Sequence, residues 1–251
     1  MVSERPALFC DGFEAGDLSA WVLGALLLAA PHLGHSADFP AYTITTAASG
    51  ARCVFAADLD GDGDTDVLSA SQDDDKIAWY ENDGSENFTA RIITTVANGA
   101  YSVFAGDLDG DGDTDVLSAS AFDDRLTWYE NDGSENFTPH TITTAAEGAY
   151  SVLAADVDGD GDTDVLSASG FDEKIAWYEN DGSQNFTTHT MTTGAFAAFN
   201  VFAADVDGDG DTDVLSASIG DDEITWYENK LPLFRDGFEA GDLSAWNNSV
   251  P

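Results

Sequence analysis

Asp58, Asp107, Asp156 and Asp205 stand 49 residues apart, and so do Trp79, Trp128, Trp177 and Trp226. A fixed period of this size points to one supersecondary unit used repeatedly, each copy burying its apolar face against the next. The first copy reads VFAADLDGDGDTDVLSASQDDDKIAWYENDGSENFTARIITT, and four copies run without insertion over residues 39–230. Each carries four strand signals. VFAAD is short and apolar, DVLSAS follows an acidic loop, and KIAWYEN is rich in β-branched and aromatic residues. NDGS is then a hairpin signal, and FTARIITT is rich in Thr and Ile. No window has a 3.6-residue apolar period, so no helix fits inside the unit. Four short antiparallel strands in this length make one propeller blade. Ala and Ser in the first two strands suit positions crowded around a central axis, and Trp and Tyr suit the wider gaps further out. The expected fold is all-β, a propeller of four 49-residue, four-stranded blades.

The repeat is cut one strand out of phase. FPAYTITT (residues 39–46) precedes the first copy and matches FTARIITT, FTPHTITT and FTTHTMTT, whereas the last copy stops at WYENK without that strand. The expectation is that Tyr42–Thr46 pairs with Glu223–Asn229, either within one chain to close a ring or between chains to give a larger ring or filament.

The most repeated stretch is also the least favourable electrostatically. DLDGDGDTD places carboxylates at loop positions 1, 3, 5, 7 and 9, directly before an apolar strand. Two carboxylates ~5 Å apart repel by roughly 3 kcal/mol at an effective dielectric of 20. A hard cation removes that repulsion, because Ca²⁺ takes six to eight oxygen ligands. Gly63 at position 6 permits the sharp turn, as Gly does in an EF-hand loop, but position 12 is Ser69 rather than the bidentate Glu an EF-hand needs. A strand–loop–strand calcium site remains.

This D-x-D-x-D-G-x-x-D loop between two short strands resembles the FG-GAP or VCBS repeat family, whose repeats form the blades of integrin-like β-propellers. The resemblance covers all four copies. It implies Ca²⁺ at four sites, held by the side chains of Asp58, Asp60, Asp62 and Asp66 with the main-chain carbonyl of Asp64. The equivalent sets are Asp107, Asp109, Asp111 and Asp115 with Asp113; Asp156, Asp158, Asp160 and Asp164 with Asp162; and Asp205, Asp207, Asp209 and Asp213 with Asp211.

Forty-eight acids against eight Lys and Arg give a formal charge of −40. Phosphate recognition needs a basic footprint, so nucleic acid is excluded as a partner and anionic membranes are disfavoured. No catalytic motif is present: no G-x-S-x-G, H-E-x-x-H, phosphate loop or nucleophilic Cys–His pattern. A single active site should break the repeat symmetry, and the copies are nearly identical, so no enzyme is expected. His140 and His189 share a position that Tyr42 and Arg91 occupy elsewhere, which reads as a variable surface site. The loops QDDDK, AFDDR, GFDEK and IGDDE vary on one face, where Phe122 and Phe171 suggest a ligand surface.

Residues 1–38 and 231–251 flank the repeats. LFCDGFEAGDLSAW at residues 8–21 returns as LFRDGFEAGDLSAW at 233–246. AWVLGALLLAA at residues 20–30 is too short to span a bilayer and reads as a signal-peptide core or a buried helix. Cys10 and Cys53 are no disulfide framework, and Asn87, Asn136 and Asn185 begin sequons derived from one repeated NFT. The expected protein is a secreted or surface-attached, bacterial, calcium-stabilised structural or adhesive module. It is expected to self-associate and to bind a protein or a glycan. The alternatives are a subunit of an extracellular filament and a carbohydrate-binding lectin.

Overall fold

The computed structural model describes residues 40–230, and its fifteen strands lie in one compact unit that begins at Thr43. They form four antiparallel sheets in chain order. The first blade is β1 (Ala51–Ala57), β2 (Asp66–Ser71), β3 (Lys76–Asn82) and β4 (Phe88–Thr94). The second is β5 (Ala100–Gly106), β6 (Asp115–Ser120), β7 (Arg125–Asn131) and β8 (Phe137–Thr143). The third is β9 (Ala149–Ala155), β10 (Asp164–Ser169), β11 (Lys174–Asn180) and β12 (Phe186–Thr192). The fourth has three strands, β13 (Ala198–Ala204), β14 (Asp213–Ser218) and β15 (Glu223–Tyr227). Among the described residues there is no helix, and none is therefore long and apolar enough to cross a membrane.

The first strands of successive blades, β1, β5, β9 and β13, pack side by side, which makes them the inner strands of a propeller-like stack. The sequence expectation of small residues there holds. The second strands DVLSAS are nearly solvent-free, with Ala70, Ala119 and Ala168 all at zero exposure. The first serine of each finds a partner: Ser69, Ser118 and Ser167 meet the hydroxyls of Tyr80, Tyr129 and Tyr178 across the ladder. A buried hydroxyl without a partner costs about 1–3 kcal/mol, so the Ser–Tyr pair explains why both recur.

The core lies between blades. Leu59, Leu68, Ile77 and Trp79 of blade one pack with Val103, Val116 and Tyr129 of blade two. The same set recurs one blade on as Leu108, Leu117, Leu126 and Trp128 with Val152, Val165 and Tyr178. Both faces of each inner blade are therefore apolar, which is why KIAWYEN does not alternate.

Closure within the chain is not found. Residues 43–46 form no strand, and among the described residues β15 pairs with β14 alone. The two ends of the stack are open as a result. Val54 is 71% exposed where Val103, Val152 and Val201 are buried, and Ile224 is 77% exposed where Ile77, Leu126 and Ile175 are at zero. The eight-residue match identified a strand type correctly in the other blades, but pairing also requires the partner edge to come within reach.

The hairpin expected at NDGS is a five-residue connection, 83–87, between β3 and β4. Asp83 holds it by accepting from the N–H groups of Ser85 and Asn87 and from the Asn87 side chain. The duplicated segments 8–21 and 233–246, the apolar stretch 20–30 and Cys10 lie outside the described residues. Cys53 is a half-buried free thiol whose Sγ lies 3.6 Å from the Val103 carbonyl.

Candidate metal centre

Each acidic loop joins the first strand of a blade to its second. Gly61 and Gly63 both adopt left-handed backbone, at φ 75° and 93°, a region that costs other residues roughly 1–2 kcal/mol. The curl they permit folds the loop back on its first residue. Asp58 accepts from the N–H of Gly61 at 2.8 Å through one oxygen and of Gly63 at 2.9 Å through the other. Asp60 and Asp62 each accept from the N–H two residues on. Alternate carboxylates are thereby turned to one side, as the spacing predicts.

The five aspartates are not equivalent. Asp66, Asp115, Asp164 and Asp213 open the second strands and have zero exposure. One oxygen of Asp66 accepts from Leu59 N–H at 3.0 Å, and the other from Asn82 N–H at 2.8 Å. The pattern repeats at Asp115 with Leu108 and Asn131, at Asp164 with Val157 and Asn180, and at Asp213 with Val206 and Asn229. This residue pins the loop to the outer hairpin. Asp64, at position 7, turns its side chain toward the hairpin: a Cβ on Gly84 would lie 2.3 Å from its Oδ2, and Asp113 and Asp162 crowd Gly133 and Gly182 in the same way.

Carboxylate oxygens of Asp58, Asp60 and Asp62 all lie within 4.8 Å of one another. In the other loops the convergent set is Asp107, Asp109 and Asp115; Asp156, Asp158 and Asp164; and Asp205, Asp207 and Asp213. Oxygens on opposite sides of a Ca²⁺ ion are about 5 Å apart, twice a bond of about 2.4 Å, so this spacing fits. Positions 1 and 3 converge in every loop. Position 9 joins them in three loops and position 5 in the first, so Asp66, Asp111, Asp160 and Asp209 stand outside the tightest groups.

The electrostatics favour a cation. Burial pushes the Asp115 carboxyl up to about 6, and raises Asp66 and Asp164 as well. Asp60 and Asp109 are raised by burial, with neighbouring carboxylates adding to it. Asp213, on the open side of the last blade, is instead held below the ordinary range by the Asn229 N–H. In the first three loops burial therefore opposes the charged form of these aspartates, and Asp207 of the fourth loop is raised by the same cause.

Two functional features escape sequence reasoning. Asn131 Nδ2 donates to the Thr114 carbonyl of its own loop and, at 3.0 Å, to the Leu59 carbonyl in the preceding blade's loop. Asn180 and Asn229 do the same to Leu108 and Val157. The first three acidic loops are thus each clamped by the next blade. The only sequence signal is the recurrence of Asn at the end of WYEN. The second feature concerns His140 and His189, which stack on Trp128 and Trp177 at 4.7 and 4.4 Å between centroids. Their Nε2 atoms lie 2.7 and 2.6 Å from Glu130 and Glu179. Arg91 bonds Glu81 from the same position, opposite Trp79. In blades two and three the variable position therefore carries a flat ring stacked on a Trp.

The sequence profile described as FG-GAP-like repeat matches residues 58–118, 107–167 and 156–216, more than half of the chain. The chain belongs to the FG-GAP-like repeat family. No curated protein matches it. Among solved structures, an FG-GAP-like chain of this kind is similar to a putative 6-phosphogluconolactonase from Bacteroides fragilis NCTC 9343. That likeness has a TM-score of 0.52 at 14% identity, over 72% of this chain and 51% of that one. It is also similar to an Agrocybe aegerita lectin that recognises non-reducing terminal N-acetylglucosamine (TM-score 0.48, 18% identity, 67% and 47% covered). A third similar structure is the V. cholerae biofilm matrix protein Bap1 (TM-score 0.46, 22% identity, 69% and 26% covered). The chain spans about half or less of the length of these structures, and identities this low speak to fold alone.

Proposed function

We propose that this FG-GAP-like chain is a non-catalytic, calcium-stabilised extracellular module that presents a binding face to a protein or glycan. The observation that carries the reading is the loop itself. The same cradle occurs four times, with three carboxylates converging within 4.8 Å and a buried aspartate that no basic side chain neutralises. Because the carboxylates converge only in the folded loop, calcium adds stability by mass action, about 2.7 kcal/mol per site at 100 times Kd. The near-identity of the four loops argues for a structural role over a catalytic one. Millimolar free calcium is an extracellular condition, which supports a secreted location.

Isothermal titration of the metal-free protein with Ca²⁺ tests the reading, and about four ions per chain are expected. The melting temperature should fall by ten degrees or more in excess chelator. An unchanged melt with no heat of binding would sink it.

A second reading takes a glycan as the bound partner. Phe122, Phe171 and Phe196 stay 54–61% exposed at successive blade junctions, and Phe171 packs edge-on against Tyr150. Exposed aromatic faces are platforms for sugar C–H groups. Glycan-array binding lost in Phe171→Ala would support this, and a blank array would count against it.

A further inference from the structure

The fourth blade has a vacant strand position, and the other blades show what belongs there. Phe137 of β8 packs into the cluster containing Leu59, Trp79, Val116 and Tyr129, and Phe186 of β12 into its counterpart between blades two and three. The equivalent cluster between blades three and four holds Val157, Trp177, Val214 and Tyr227 and, among the described residues, no phenylalanine. A cavity of about 210 Å³ opens there, lined by Val157, Trp177, Met191, Val214 and Tyr227. The residue that the repeat assigns to this slot is Phe39, first of the segment FPAYTITT.

The match extends along the strand. Trp79, Trp128 and Trp177 face Arg91, His140 and His189 on the fourth strands. The same register sets Tyr42 opposite Trp226, and both are exposed, at 79% and 44%. Ile44 takes the place of Ile93 and Ile142, which pack toward the following blade. Beyond that segment the chain enters β1, as β4 leads into β5. A donor of the segment therefore also sets its own first blade against the acceptor's fourth. The faces that would meet are both apolar and open: Phe202 at 57% and Val206 at 45% on one side, Val54 at 71% on the other. In the interior, Phe55 and Phe104 occupy the contact that Phe202 would make, with ring centroids 4.7 Å apart.

We propose that residues 39–46 of a second copy of this chain complete the fourth blade, continuing the 49-residue period head to tail across the molecular boundary. A heterologous contact of this kind gives a ring if the rotation closes and a filament if it does not. The inference rests on strand register and not on the metal, so a failed calcium titration leaves it standing.

Single cysteines test it in a Cys10→Ser, Cys53→Ser background. Thr43 and Thr225 correspond to Thr141 and Thr127, which face each other in blade two. Equal amounts of Thr43→Cys and Thr225→Cys protein are mixed and oxidised, then run on a non-reducing gel. The expected product is a disulfide-linked dimer of the two variants, and a ladder from the double variant. A double variant that runs solely as an internally linked monomer would overturn the proposal in favour of closure within one chain. Absence of any cross-link would overturn the pairing itself. Phe39→Ala alters no residue of the fifteen strands. It should weaken self-association by on the order of 100-fold in sedimentation, and an unchanged association constant would remove Phe39 from the slot.

Discussion

Removing the Asn131 side chain should expose how blades are joined. In Asn131→Ala the backbone N–H still serves Asp115, but two acceptors lose a donor. These are the Thr114 carbonyl at 3.1 Å and the Leu59 carbonyl at 3.0 Å, and Leu59 is only 2% exposed. A buried carbonyl left unpaired costs about 1–3 kcal/mol, and a lost bond nearer the surface about 0.5–1.5 kcal/mol. Asn82→Ala is the internal control. Asn82 makes the same local bond, to Thr65, and among the described residues bonds no other blade, so the comparison is made on protein dilute enough to be monomeric. The expected losses are about 2–4 kcal/mol for Asn131→Ala and about 1 kcal/mol for Asn82→Ala. Urea unfolding in saturating calcium, followed by Trp fluorescence, measures both through the midpoint at fixed slope. If the stack melts blade by blade, the first transition is the one to compare. Equal shifts, within about 0.5 kcal/mol, would refute the idea that this bond holds one blade to the next.

Gly63→Ala should lower stability by about 1–2 kcal/mol through its φ of 93°, although open space surrounds the new methyl, and calorimetry would show it. Asp66→Asn should be far more damaging than Asp62→Asn in the absence of metal, since only Asp66 is buried and bonded twice by backbone N–H groups; comparing the two melts in chelator checks this. In chelator, stability should fall as pH rises from about 4 to 6. The Asp115 carboxyl titrates near 6 when folded against 3.8 ordinarily, so the folded state holds the proton longer and loses that advantage once both states are ionised. The loss is on the order of 3 kcal/mol for this group. A melting temperature that rises over that window would contradict the buried-charge reading. With calcium bound the trend should reverse, because protons then compete with the ion.

Much of the blade was legible residue by residue. DVLSAS and KIAWYEN become β2 and β3 over the stretches their composition marks, and FTARIITT ends one residue early. VFAAD was too short because β1 begins at Ala51, ahead of a bulge between Ala51 and Cys53. A bulge interrupts the two-residue period, so an alternation argument stops there. The acidic loop announced a cation by its spacing but not the ranking of its aspartates. Burial of Asp66 follows from the hairpin of its own blade, which returns to it 16 residues on through Asn82, and no local pattern encodes that contact. The Asn131 clamp reaches 72 residues back to Leu59 and was hidden for the same reason. The partner of Tyr42–Thr46 was not legible because strand identity is a property of the segment, whereas pairing belongs to two surfaces at once.

The interfaces between blades one and two and between two and three are built from the same residues at the same offsets. To the folding chain, one blade is as good a neighbour as another. Excising 49 consecutive residues from the interior would rejoin Leu59-type and Val116-type faces that already fit, with no loop to redesign. The number of blades is therefore not protected by the packing. Recombination between repeats in the coding sequence can lengthen or shorten the stack in whole steps, and each product inherits a working joint.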